Sequence, residues 1–247
     1  MTTQVPVEVE GRRLFAAYAF PPNELGYCGP PDSSVLLNGH GPAAIDRHAK
    51  GFDGAWPYLD EIAAATGGAD PLDQEVVRTY WVGGPLLHQV DGTRMLDRLR
   101  NALRGQPTGL LNELSHHTHV LAHHSFHVFV VYPWVCFLDA DPKNPLQILQ
   151  SCRIRWGTVD AVDDEHAVLL SRPLVFDDGT LALGSEAPET VRWARAGTSL
   201  TSRPVPGQTV SAHWDWVCGA LDDSERDALA AATASTLELV NRLRAAR

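Results

Sequence analysis

Six of the 11 histidines in this 247-residue chain fall within 12 positions: His116, His117, His119, His123, His124 and His127. Neutral imidazole is a good ligand for zinc, iron or copper. If the segment is helical, His116, His119, His123 and His127 stand at i, i+3, i+7 and i+11. That is one stripe, from which two or three rings can reach one ion. His117 and His124 then fall on the side of Leu110, Leu114 and Leu121. If the end of the segment is a strand, His127 shares a face with Ser125 and Phe129, and the stripe breaks. A polar stripe under an aromatic lid can also simply hydrogen-bond within a core. Cys28, flanked by Gly26-Tyr27 and Gly29-Pro30, joins these four histidines as a remote candidate ligand, its thiol left room by the glycines. His40 and His48 read as surface or core histidines. No H-E-x-x-H, CxxC, G-x-S-x-G, P-loop or G-x-G-x-x-G pattern occurs.

The elements that must position these residues differ between the two halves of the chain. The first half reads as mainly helical. An apolar face opens at Leu14, Phe15, Ala17 and Tyr18, and Pro21-Pro22 is expected to stop it. Pro42 sits near the first turn of a second helix. Asp70-Pro71 is expected to start a third that runs to Gly83-Gly84, and a fourth spans 92–103. Residues 126–138 are nearly all apolar or aromatic and fit helix or strand equally. Asp139 to Pro145 is the best linker candidate. Beyond it come strand-like runs at 152–162, 166–175, 190–193 and 209–217, spaced as in a small barrel or sandwich. The chain then closes with a helix, capped by Asp222 and Glu225 and carrying Leu229, Thr233, Leu237, Val240 and Leu243 on one face.

Two strings in the second half carry a family resemblance. The first is Cys152-Arg153-Ile154-Arg155-Trp156-Gly157-Thr158-Val159. The second runs from Gly207 through Val210 to His213, followed by Leu221 and the capped helix. In order and spacing they resemble the HypC/HupF family of [NiFe]-hydrogenase maturation chaperones, over about 100 residues. The resemblance implies a small OB-like barrel with a C-terminal helix, in which Cys152 and His213 handle iron bearing cyanide and carbon monoxide. It also implies the hydrogenase large subunit or other maturation factors as partners. Thiolate is a soft donor suited to such iron and must be deprotonated to bind it. Arg153 and Arg155 would lower the Cys152 pKa if they sit close. Residues 173–188 are an insertion relative to the short chaperones.

Bulk properties narrow the partners. The net charge of -10 with no basic run argues against nucleic acid or an anionic membrane surface. No apolar stretch reaches the roughly 20 residues of a membrane span, and the first residues lack a signal-peptide pattern. The expected location is the cytoplasm, with the four cysteines as thiols.

The expected architecture is α+β. A mainly helical domain with the His-rich segment occupies residues 1–145, and a HypC-like barrel with its terminal helix occupies 146–247. The expected function is that of an accessory protein in hydrogenase maturation, with iron or another transition metal as cargo. A metal-dependent enzyme, oxidoreductases among the classes open to it, with its active site at the histidine cluster of the N-terminal domain is the alternative. A third reading makes Trp156, Trp193, Trp214 and Trp216 a docking face.

Overall fold

A computed structural model describes residues 7–37 and 41–247 of the chain. His40 lies outside the described residues. The helices are α1 (Val7–Glu24), α2 (Ser34–Leu37), α3 (Pro42–Ala49), α4 (Trp56–Ala65), α5 (Gln74–Trp81), α6 (Gly92–Ala102), α7 (His124–Phe126), α8 (Lys143–Cys152) and α9 (Asp223–Ala245). The strands are β1 (Arg155–Val162), β2 (His166–Ser171), β3 (Leu174–Asp177), β4 (Thr180–Leu183), β5 (Ala187–Arg192), β6 (Ala194–Arg195), β7 (Thr198–Ser199), β8 (Thr209–His213) and β9 (Trp216–Ala220). The class is α+β, with helices before a five-stranded sheet and one helix after it.

The sheet pairs in the cyclic order β1-β2-β5-β9-β8, and β8 returns to β1. Every pairing is antiparallel except β5 with β9, where a single parallel pair, Arg192 with Trp216, closes the ring. Alternating burial along β2 follows the two-residue period of a strand and sends Ala167 and Leu169 inward. The insertion over 173–188 contains the separate hairpin β3-β4.

Two apolar clusters hold the molecule together. A small one fills the sheet ring: Val159, Ala167, Leu169, Val191, Val210, Ala212 and Val217. A much larger one joins Phe15, Tyr18 and Phe20 of α1 and Tyr80 and Trp81 to Leu149 and Cys152 of α8, Trp216 and Cys218 of β9, and Leu229, Leu237 and Val240 of α9. Residue 145 therefore does not separate two cores. The last three residues of the expected linker, Lys143 to Pro145, open α8, with the Asp141 carboxylate accepting from the Lys143 N–H. Helix α9 begins at the expected capping box, Asp222 with Glu225, and buries Leu229, Thr233, Leu237 and Val240.

Local expectations failed where tertiary contacts supplied what the sequence withheld. Helix α1 runs through Pro21 and Pro22 instead of stopping there. Helix α5 starts at Gln74 with Asp73 as its cap, because Asp70 is taken up by Arg12 and the Leu72 N–H. Cys152 ends a helix and does not begin a strand. Of the four tryptophans, Trp216 is buried in the large core, Trp156 and Trp214 pack half-buried against that core, and Trp193 packs on the ring cluster; the Trp214 ring lies 4.1 Å from that of Tyr27.

Candidate metal centre

Three side chains from distant parts of the chain meet in the large core. His124, Cys152 and His213 each present a possible ligand atom, and these atoms lie within 4.8 Å of one another. All three residues are buried. Among the described residues this is the one such group of three or more His, Cys, Asp or Glu. They line a small cavity of about 20 Å³ together with Pro22, Cys28, Phe52, Gly54, Tyr80, Trp81, His127 and Tyr132. That is room for one water or one ion.

His213 ends β8, and its orientation traces back to a proline. Pro22 has no N–H, so the helix leaves the carbonyl of Tyr18, four residues earlier, without its usual partner. The Nδ1–H of His213 donates to that carbonyl at 2.7 Å. The tautomer is then fixed, with the lone pair on Nε2, which is buried and has no hydrogen-bond partner. An orphaned buried nitrogen of this kind is costly unless something binds it. Replacing Pro22 with alanine should restore an N–H that competes for the Tyr18 carbonyl. We expect metal affinity to fall about 10- to 100-fold, as for other outer-shell partners of metal-bound histidine, while thermal stability is held or raised. A metal titration and a melting curve on the same variant check both halves of this expectation.

His124 is fixed in the same manner through its other nitrogen. Its Nε2–H donates to the Cys152 carbonyl at 2.9 Å, which leaves the Nδ1 lone pair facing the Tyr80 hydroxyl at 3.1 Å. That hydroxyl is also 3.0 Å from the Gly54 carbonyl, so its single proton can serve either acceptor and release Nδ1.

Cys152 is placed by the end of α8. The last carbonyls of a helix need outside donors, and here each finds one. The Leu149 carbonyl accepts from the Arg153 N–H at 3.0 Å. Arg155 donates to the Gln150 and Ser151 carbonyls, the Trp214 N–H to Ser151 at 2.8 Å, and His124 to Cys152. Arg155 also donates to the Trp214 carbonyl, and its charge is balanced by Glu189 at 3.0 Å. It thus clamps the helix end that carries Cys152 to the turn that follows His213. In that turn Trp214 has φ 52°, a left-handed conformation that costs roughly 1–2 kcal/mol for a bulky residue. The clamp from α8 and the stacking on Tyr27 hold it there.

Electrostatics suit ligation by neutral donors. Burial lowers the pKa of His124 to about 4 and those of His123 and His127 to about 3, and it holds His213 well below the ordinary value. These imidazoles are neutral at physiological pH, as a metal requires. Burial pushes the Cys152 thiol up, and Cys28 up to about 12. The expected lowering of Cys152 by Arg153 and Arg155 does not occur. Arg153 is turned to Gln150 and the Arg172 carbonyl, and Arg155 to Glu189 and backbone carbonyls. A bound cation would have to displace the thiol proton.

The helical histidine stripe does not form. Residues 111–113 make a short 3-10 turn, 116–123 are turn and extended chain, and only His124–Phe126 begins a helix. His116, His117 and His119 are exposed and belong to no cluster of three or more such donors among the described residues. His123 caps the α7 turn, its Nδ1 accepting from the Ser125 N–H at 3.0 Å. His127 lies at the cavity wall, its Nδ1 3.5 Å from the Tyr58 hydroxyl. It opens a π-helical stretch, His127–Val131, in which the Tyr132 N–H reaches back to the His127 carbonyl; such turns recur at functional sites. Cys28 also reaches the cavity wall. His48 instead pairs with Asn23 at 3.1 Å. The residue that the periodicity missed is His124, which a helix would have turned toward leucines. Its signal was present only as a histidine beside an apolar run.

Fold and site together define an α+β protein with a buried His₂Cys donor set between its helical half and its sheet. The chain belongs to a family described as a family of unknown function (DUF6390), which it matches over residues 7–247. No curated protein and no solved structure matches it. No helix among the described residues is long and apolar enough to cross a membrane.

Proposed function

We propose that this protein holds a transition-metal ion on His124, Cys152 and His213 and acts in the cytoplasm as an accessory protein of [NiFe]-hydrogenase maturation. The cargo in this reading is iron, with or without cyanide and carbon monoxide, and the partner is the hydrogenase large subunit or another maturation factor. One observation carries the reading. The cysteine and the histidine singled out by the HypC/HupF resemblance, far apart in sequence, come together at one cavity with a third donor. The cyclic pairing of five strands followed by a capped helix supports reading residues 146–247 as a HypC-like, OB-like module. Thiolate with two imidazoles favours iron, zinc, cobalt or copper over magnesium or calcium.

A metal-dependent enzyme is the second reading. It is favoured by a ligand set of three, which leaves a coordination position open as catalytic zinc sites do, and by a cleft of about 490 Å³ adjoining the cavity. Elemental analysis and infrared spectra of protein purified from its native host separate the two. Cyanide and carbonyl stretches support maturation. Stoichiometric metal without them supports the enzyme. Protein that neither carries metal nor takes it up would overturn both.

A further inference from the structure

The cavity that holds the three donors and the open cleft outside it share one wall. Tyr27, Cys28, Gly54, His127 and Tyr132 line both. Two of these five carry soft metal donors, the thiol of Cys28 and the imidazole of His127. Cys28 is half-buried. The loop that bears it is held in place. Asn23 donates to the Cys28 and Pro30 carbonyls, both at 2.8 Å, and the Tyr132 hydroxyl donates to the Tyr27 carbonyl at 3.1 Å. Gly29, at φ 82°, lies so close to Phe52 that a Cβ there would stand 2.4 Å from the ring. On the other side of the wall, a Cβ at Gly54 would stand 2.7 Å from Nε2 of His127. The absence of a side chain at Gly54 is what leaves that nitrogen its place in the wall. Outside, the cleft carries one carboxylate, Asp53, which is exposed and attracts cations.

We propose that Cys28 and His127 form a transfer site for a soft transition-metal ion, through which the ion passes between the outer cleft and the inner donors His124, Cys152 and His213. The inference rests on the inner site proposed above. An ion shedding water at Asp53 meets a thiol and an imidazole before it meets the inner set. Ligand exchange along such donors never leaves the ion bare in an apolar cavity, where an uncoordinated charge is prohibitively expensive. Cys28 gives up its proton to solvent in the cleft when the ion arrives and regains one when the ion moves inward.

The test is rapid-mixing uptake of Co²⁺ by the full chain, followed through the cobalt–thiolate absorption, with release measured on adding a chelator. The variants are Cys28→Ala and His127→Gln, the first a small change at a half-buried thiol and the second close in shape. A residue on the path alters uptake and release by the same factor and leaves their ratio, the affinity, unchanged. Each variant is expected to slow both by about tenfold or more, with the final absorption spectrum that of wild type. Unchanged rates in Cys28→Ala would overturn the transfer site even if His127→Gln proved poorly folded. A loss of affinity with an altered spectrum would overturn it too, because these residues would then be resident ligands. Wild-type protein that takes up no cobalt would remove the inner site, and the transfer site with it; the two failures are thus distinguishable.

Discussion

Metal-free protein is expected to lose its fold cooperatively on mild acidification, between about pH 6.5 and pH 5. His123, His124, His127 and His213 are buried, and burial depresses all four pKa values from 6.5, to about 3 or 4 for the first three. Below pH 6.5 the unfolded chain takes up protons that the folded chain refuses. Stability from these groups is therefore complete above pH 6.5 and is lost as pH falls toward the folded-state values. Each such group contributes a slope of about 1.4 kcal/mol per pH unit, so four give roughly 5 kcal/mol per unit. A domain stability of about 5–15 kcal/mol cannot withstand that for more than a unit or two. Burial pushes the Asp70 carboxyl up, but the Leu72 N–H, Arg12 and Lys50 together hold it below the ordinary value, so it adds to the acid loss in the same direction. Circular dichroism against pH, with urea melts at pH 7.5 and 5.5, measures the effect. A bound metal should move the midpoint to lower pH, because it binds the folded state alone. Constant stability down to pH 4.5 would mean that these histidines are hydrated in solution and the cavity is not closed.

The second large effect is expected at Cys152. Serine oxygen is a hard and weakly basic substitute for thiolate sulfur, so Cys152→Ser should weaken binding of Co²⁺ or Fe²⁺ by more than about 100-fold, beyond the usual loss of an outer-shell partner. Stability should change by less than about 1.5 kcal/mol, since the side chains are close in size. The Cys152 carbonyl that fixes His124 is untouched by the substitution. Wild-type binding near pH 7 should release about one proton per ion, because the histidines are already neutral and only the thiol must ionise. Affinity should accordingly rise about tenfold per pH unit across pH 6.5 to 8. Calorimetry in buffers of differing ionisation enthalpy reads the proton count. If the maturation reading holds, hydrogenase activity in the host should fall while the variant accumulates normally. Full metal affinity and full activity in Cys152→Ser would remove the thiol from the site.

What the sequence determined was mostly local. The capping box at Asp222 and Glu225, the cap at Asp91 that opens α6, and the alternation along β2 all express interactions within a few residues. Cys152 and His213 entered the candidate site through a resemblance in the order of two strings, and the fold brings their side chains together with His124. The tertiary structure decided the rest. A helical stripe at 116–127 required those residues to fold as an isolated helix, yet the backbone there closes turns instead, with the Thr118 N–H donating to the Ser115 carbonyl and the His123 N–H to the Leu121 carbonyl. The prolines of α1 looked like a stop because a missing N–H normally ends a helix. In the folded protein the carbonyl that Pro22 leaves free is taken by His213, 195 residues away in sequence. His124 likewise depends on the end of α8 for its orientation and on α5 for Tyr80. Hydrogen bonds of that range have no signature in periodicity or spacing, because each partner is chosen only once the helical half and the sheet share a core.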